Sequence, residues 1–415
     1  MSKAYSSLIT RYSSLQSSLR ARYPPIVLWA CFFYLGHLVY QARTAPSELG
    51  AFAAWYWTAW AIARRQMKPS WHIVSYPLVV FAIATTISVY LPGHPKMGGQ
   101  VIVPKVLLFF AAIIIMRNVP EMRMLALKAH AFLAYWIGGV NLWQFFAQHR
   151  QDLEHRVTGL STHVMTDSGL LLPLSLLFGI LWLHERKWWM LGASALATFS
   201  LLLTYTRSAW LAWIFAVFAV LVLPRPKWIV YAVAVLLLFV SFMPIGMFGR
   251  LWSSFNPRVE SNLDRIRMAQ AGVEMIRDYP LFGVGPGNVK EMYPLYRRPD
   301  APRFKVPHLH NNVIQIWAER GVLALAGYIL FLYFFVRECA RALRTPQRKW
   351  AEAGIAVAAA MTFAGMFEFN FGDTEVFYLM LDLFALVLVM LESTVTPSES
   401  EGSGGMGVRP SFANV

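Results

Sequence analysis

Charge is scarce in this chain. Only 14% of its 415 residues are charged, 57% are hydrophobic, and the mean hydropathy is +0.46. A water-soluble domain has too little interior to hide that much apolar surface. Cysteine is nearly missing. Cys31 and Cys339 both fall in or beside apolar stretches, which excludes a disulfide scaffold. No His/Cys group has metal-ligand spacing, and no close carboxylate pair in the long polar loop is built for a divalent ion. Neither a metal nor a cofactor is therefore expected. Residues 1–23 lack an apolar core region, so no signal peptide is expected there. The polar–apolar alternation of barrel strands is also missing.

Long apolar runs are what the chain has. Twelve recur: roughly Pro25–Ala42, Leu49–Ala63, Trp71–Leu91, Val101–Met116, Met122–Phe146, Gly169–Leu183, Trp188–Thr206, Ser208–Leu223, Trp228–Phe248, Val313–Val336, Trp350–Phe369 and Val376–Leu391. About 20 apolar residues in a helix cross about 30 Å of hydrocarbon. In lipid only helices or closed barrels satisfy the backbone, so the runs predict an all-α polytopic membrane protein with about 12 transmembrane helices. A single membrane domain over 1–393 is expected, with one long, partly helical loop outside the membrane at about 249–312. Residues 394–415, rich in Ser and Gly, are expected to form a disordered cytoplasmic tail. Tyr5, Leu8, Ile9, Tyr12, Leu15 and Leu19 have helical spacing and suggest an amphipathic helix on the inner leaflet, the alternative being a solvated tail.

Short loops on one side carry most of the Lys and Arg, among them Arg64, Arg65, Lys68, Arg117, Arg123, Arg186, Lys187, Arg344 and Arg348. The positive-inside rule places these loops and both termini in the cytoplasm. The long loop then faces outward, and it too is basic: Arg258, Arg265, Arg267, Arg277, Arg297, Arg298 and Arg303 lie in it. Insertion rules do not ask for positive charge outside. An anionic ligand such as a phosphate or an acidic glycan accounts for it better, and nucleic acid is not expected on that face. Within the net charge of +15, the cytoplasmic arginines serve topology and anionic lipid.

Several residues in these outward segments are able to carry chemistry. Pro307-His308-Leu309-His310-Asn311-Asn312 closes the long loop and opens a helix over Val313–Trp317 that runs into the apolar block Gly321–Val336. Histidine has the side-chain pKa nearest neutrality, and one at this junction can meet a lipid-tethered substrate while exchanging protons; the bland role is a helix cap. The run from Trp188 to Leu223 is too long for one crossing and breaks at Thr204-Tyr205-Thr206-Arg207-Ser208. Arg207 there either snorkels or grips phosphate oxygens. Arg265 begins an amphipathic segment with Ile266, Ala269, Val273 and Ile276 on one face, stopping at Asp278-Tyr279-Pro280. Gly283-Val284-Gly285-Pro286-Gly287 follows; it lacks the strand and lysine of a P-loop and reads as a tight turn. Glu368, Asp373 and Glu375 sit around another short outer loop, either as a base and sugar ligands or as ordinary loop carboxylates.

Taken together, His310-Asn311 followed after seven residues by Glu319-Arg320-Gly321, Arg265-Ile266-Arg267 through Tyr279-Pro280 to Gly283-Val284-Gly285, Thr206-Arg207-Ser208, and more weakly Arg156-x-x-Gly159 resemble the motifs of the O-antigen ligase family, within the O-antigen ligase/polymerase superfamily of membrane glycosyltransferases. The resemblance covers about residues 150–325 by motif. It implies a GT-C-like enzyme of the bacterial inner membrane that performs inverting, metal-independent glycosyl transfer on the periplasmic face. The implied donor is an O-antigen polysaccharide on undecaprenyl diphosphate, and the implied acceptor is a sugar hydroxyl of the lipid A core. His310 is implied as general base and Arg207, Arg265 and Arg156 as diphosphate ligands. Asn311, Glu319, Arg267 and Arg303 are expected in acceptor-binding or supporting places. Arginines suit a diphosphate leaving group without a metal, and histidine suits an acceptor hydroxyl.

Two alternatives remain at this level. An O-antigen polymerase or protein O-oligosaccharyltransferase would share the donor, although one outer loop of about 60 residues favours the ligase. A lipid-linked sugar flippase would place its charges near the midplane, where Lys105, Lys128 and Asp382 are the main candidates and form no obvious relay.

Overall fold

The computed structural model describes residue 14 and residues 17–90, 102–152, 154–222, 249, 252, 253 and 256–392. Its elements are helices: α1 (Pro25–Val39), α2 (Thr44–Ala63), α3 (Ser75–Tyr90), α4 (Ile102–Asn118), α5 (Glu121–Phe146), α6 (Val164–Glu185), α7 (Trp188–Leu203), α8 (Arg207–Val217, extended by a π turn at Phe218–Val222), α9 (Glu260–Asp278), α10 (Val289–Tyr296), α11 (Asn312–Ala342), α12 (Arg348–Ala364) and α13 (Thr374–Leu391). No strand occurs among the described residues. Eleven of the twelve apolar runs coincide with these helices. The run Trp228–Phe248, the segment 394–415 and most of the amphipathic segment before Ser17 lie outside the described residues. Among the described residues, three helices are long and apolar enough by themselves to cross a membrane: α6, α11 and α13.

The break expected after Trp188 falls where the residues put it. Helix α7 ends at Leu203, Tyr205 takes a left-handed φ of 54°, and α8 restarts at Arg207. In the bundle α1 packs along α2, α3 along α11, α6 along α7 and α12, and α4 along α13. The α3–α11 contact is close because Gly327 has no side chain. A Cβ there would lie 2.8 Å from Phe81 N and 2.9 Å from Pro77 O. One large apolar core fills the bundle. A second, smaller core holds the loop segment together: Met268, Met275, Val284, Val289, Tyr293 and Leu309 close on Ala318 of α11.

Asp382 is not the isolated midplane charge that the sequence suggests. His37 Nε2 lies 2.9 Å from its Oδ2, and Gln41 Nε2 donates to the same oxygen at 2.6 Å. Lys105 instead donates to Thr374 Oγ1 at the N-terminal end of α13 (2.7 Å), and Lys128 lies exposed on α5.

Helix α11 is broken near its start, and the break positions the site. Gly321 has φ 77° and ψ 178°, values that side chains other than glycine rarely tolerate. The carbonyls of Ala318 and Glu319 are thereby released from the helix ladder. They accept instead from Val284 N (2.8 Å) and Gly285 N (2.9 Å), while Val322 N donates to Pro280 O (3.1 Å). Gly283 and Gly321 make this possible: a Cβ on Gly283 would lie 2.3 Å from Glu319 C, and one on Gly321 1.9 Å from Leu281 O. The glycine turn and the Glu319-Arg320-Gly321 motif are two halves of one joint.

Candidate active site

His310 stands just outside the N-terminus of α11, with a left-handed φ of 51°. Asn311 caps the helix: its Oδ1 accepts from Ile314 N at 2.9 Å, and its Nδ2 donates to Met366 O at 3.0 Å. Asn312 N donates to Gly365 O at 2.6 Å, and Asn312 Nδ2 donates to Asn370 Oδ1 at 2.6 Å. Phe371 N donates to Asn312 Oδ1 at 3.2 Å. These bonds lock the turn between α12 and α13 against the start of α11. That turn carries Glu368, and the lock brings its Oε2 to 2.9 Å from His310 Nδ1.

The carboxylate only accepts, so Nδ1 carries the proton and donates to it. His310 Nε2 keeps the lone pair and makes no hydrogen bond among the described residues. A histidine oriented by a carboxylate, with its other nitrogen open, is the arrangement of a general base. Burial by itself would raise the Glu368 carboxyl. The hydrogen bond donated by His310, with the Arg265 guanidinium nearby, outweighs it and holds the group below the ordinary carboxylate value.

His308 stacks obliquely on His310, ring centroids 4.3 Å apart, with Nε2 3.6 Å from Glu368 Oε1. Burial, only partly opposed by Glu368, pulls its imidazole down to about 4. His308 is thus neutral near pH 7. The absence of metal-ligand spacing in the sequence therefore needs a correction. Folding brings His308, His310 and Glu368 together with one ligand atom of each within 4.8 Å of the others. Two of these residues share a loop and the third comes from 58 residues on, a separation no linear motif displays.

The arginines divide. Arg265 is half-buried on α9; burial lowers its guanidinium from the ordinary value, and the nearby Glu368 opposes this. Its Nε has no hydrogen-bond partner among the described residues. Arg303 pairs with the buried Asp264, donating from Nε to Oδ2 at 2.5 Å, one position before Arg265 in the chain. Arg207 is buried, not snorkelling. It donates to Ser253 Oγ (2.7 Å), Ser261 Oγ (2.9 Å) and Asn262 Oδ1 (3.1 Å). Those last two residues lie on the first turn of α9, one turn before Arg265. Arg267 is held elsewhere: it donates to Gln270 Oε1 at 2.8 Å and pairs with Asp300. Arg156 is half-buried on a loop that Gln144 of α5 clamps, accepting from Thr158 N at 2.8 Å and Gly159 N at 3.1 Å.

Glu319 is fully enclosed within the joint. Its Oε1 accepts from Gly287 N at 3.0 Å, and its Oε2 lies 3.6 Å from Arg320. Arg320 is buried between Phe81 and Phe369, 5.9 and 5.7 Å from their ring centres. Asn311 and Glu319 therefore support the site rather than line it. The loop carboxylates also separate. Glu368 partners His310. Asp373 caps α13 and accepts from Thr166 Oγ1 at 2.5 Å. Glu375 accepts a short bond from Thr44.

Residues 192–329 match a family model described as O-antigen ligase. No curated protein matches the chain. The matched stretch runs from α7 through Arg207, Arg265, the glycine joint and His310 into α11, and Glu368 lies beyond it. Over this stretch, a third of the chain, the protein is similar to the O-antigen ligase family.

Proposed function

We propose that the protein is an O-antigen ligase, moving a polysaccharide from undecaprenyl diphosphate to a sugar hydroxyl of the lipid A core by inverting, metal-independent transfer. The observation that carries this reading is the His310–Glu368 pair, with His310 Nε2 open and the charge of Arg265 near Glu368. The acceptor oxygen attacks the anomeric carbon on the face opposite the diphosphate, and its proton passes to Nε2. The bond from that carbon to the phosphate oxygen breaks as the new glycosidic bond forms. Glu368 holds the imidazole in the required tautomer and balances the imidazolium. Arg265 and Arg207 meet the charge that grows on the leaving diphosphate, with Arg303 and Arg156 in supporting places.

The rest of the chain suits such substrates. An apolar groove of about 610 Å³ runs between α2, α3 and α4, lined by Trp55, Ile62, Trp71, Ile87, Val103 and Ile114 among others. Its Ile87 end lies beside Ser88, whose carbonyl would stand 3.5 Å from a Cβ on Gly285. A polyprenyl tail in the groove would thus emerge at the glycine joint. In this reading residues 1–393 form one glycosyltransferase domain of the inner membrane, both termini are cytoplasmic, and the site faces the periplasm.

The test is reconstitution with a lipid-linked glycan and purified lipopolysaccharide core, scored by gel shift. A shifted core band is expected. Lengthening of the donor glycan without core transfer would make the protein a polymerase. Flipping of the donor without transfer or hydrolysis would remove the enzyme reading.

A further inference from the structure

We infer that His308, His310 and Glu368 form an exchangeable binding site for a borderline transition-metal ion of the Zn²⁺ class, and that this ion blocks the base. The inhibition, though not the binding, rests on the glycosyl-transfer reading. His308 and His310 flank the buried Leu309 and turn their rings to the same side, centroids 4.3 Å apart. Glu368 faces both, 2.9 Å from His310 Nδ1 and 3.6 Å from His308 Nε2. A tetrahedral ion with bonds of about 2.0–2.1 Å separates its ligands by about 3.4 Å. The first separation is to Oε2 and the second to Oε1, and one ligand atom from each residue lies within 4.8 Å of the other two, so side-chain rotations that close this triangle seat the ion.

Two imidazoles and one carboxylate select Zn²⁺, Co²⁺ or Cu²⁺ over Mg²⁺ and Ca²⁺, which prefer all-oxygen shells. Three protein ligands leave a fourth position for water or substrate. His308 keeps 28% of its side chain exposed, which gives an ion a way in. Arg303 is neutralised by Asp264, whereas the charge of Arg265 near Glu368 opposes a cation. The ion therefore exchanges rather than staying resident.

The consequence for His310 follows from its two nitrogens. An ion on Nδ1 takes the lone pair of the other tautomer, so the ring's single N–H proton leaves Nδ1 and, by exchange through solvent, is carried on Nε2, which no longer has a lone pair for the acceptor hydroxyl.

Co²⁺ titration of the purified full-length protein tests the binding, since tetrahedral Co²⁺ absorbs in the visible. Wild type should gain that spectrum, Zn²⁺ should abolish it, and Mg²⁺ should not. His308→Ala and Glu368→Gln should each lose it, with His308→Gln as a volume-preserving version and elution on gel filtration confirming folded protein. Inhibition of transfer by Zn²⁺, scored against each variant's own metal-free rate, should weaken at least about tenfold in His308→Ala, the scale on which metal sites lose affinity. No spectrum in wild type, or one that survives both substitutions, overturns the site. Co²⁺ binding in a protein that transfers nothing leaves the site standing and removes the ligase reading; transfer without Co²⁺ binding does the reverse.

Discussion

Two histidine–carboxylate pairs in this protein have the same length, 2.9 Å, and opposite surroundings. His37 and Asp382 are wholly buried inside the bundle. The second nitrogen of His37, Nδ1, lies 2.8 Å from Ser47 O and 3.0 Å from Ser47 Oγ, so both ring positions are occupied. His310 and Glu368 each keep 13% of the side chain exposed, and His310 Nε2 points to no protein partner among the described residues. The first pair ties α1, α2 and α13 together. The second leaves one ring nitrogen without a protein partner among the described residues. What separates the two pairs is the state of the other nitrogen, not the length of the bond.

The sharpest way to break this comparison is His310 itself. His310→Ala, and His310→Gln as the shape-preserving version, should lower transfer by about 10² to 10⁴ while donor binding persists, the range for a positioned acid–base group. His308→Ala should lose much less. Full activity in His310→Gln would move the base elsewhere, with Asp373 and Glu375 next in line.

Arginine loss should come next. Arg265→Ala and Arg207→Ala should each cost about 10² in rate, the scale of one charge-stabilising donor. Lysine should recover little at either position, since a point charge does not replace a planar fork. Near-normal rates in both lysine variants would reduce the pair to general electrostatics.

The sealed pair should respond in stability rather than chemistry. Asp382→Ala leaves His37 and Gln41 buried without their acceptor, and breaking a buried pair this way costs about 3–5 kcal/mol. Its unfolding midpoint should fall well below that of Glu368→Ala, whose partners can be hydrated. Equal midpoints, with transfer lost equally, would erase the distinction between the two pairs.

The smallest expected effect is a change in pH dependence. Burial, with Glu375 adding to it, lifts the Asp373 carboxyl from 3.8 to about 7 despite the bond from Thr166. A folded-state pKa above the unfolded one means that protonation stabilises the fold. That contribution is complete below about pH 4 and is lost as pH rises through about 7. Asp373→Asn keeps an oxygen to cap Val376, so it should flatten the midpoint-against-pH curve between those values and raise the midpoint at pH 8. An unchanged slope in this variant would assign the titration to another group.

Much of this was legible in the residues. The apolar runs placed eleven helices, because a long apolar run favours a structure that satisfies its backbone internally. The break before Arg207 and the turn at Gly283–Gly287 were readable from composition for the same local reason. His310, Arg207 and Arg265 were singled out by motif. The partner of His310 was not, since Glu368 looks in sequence like any acid on a short loop, as Asp373 and Glu375 do.

What the sequence by itself determined is therefore local: which segments must be helices, where they must stop, and which side chains have the right chemistry. What the tertiary structure decided is pairing. It gave Glu368 to His310 and Asp382 to His37, turned Arg267 towards Asp300, and used Glu319 as a latch on the glycine turn. Helical segments follow from a near-neighbour preference repeated along the chain, whereas a contact 58 or 345 residues away depends on how all the intervening helices pack. No spacing rule encodes that packing.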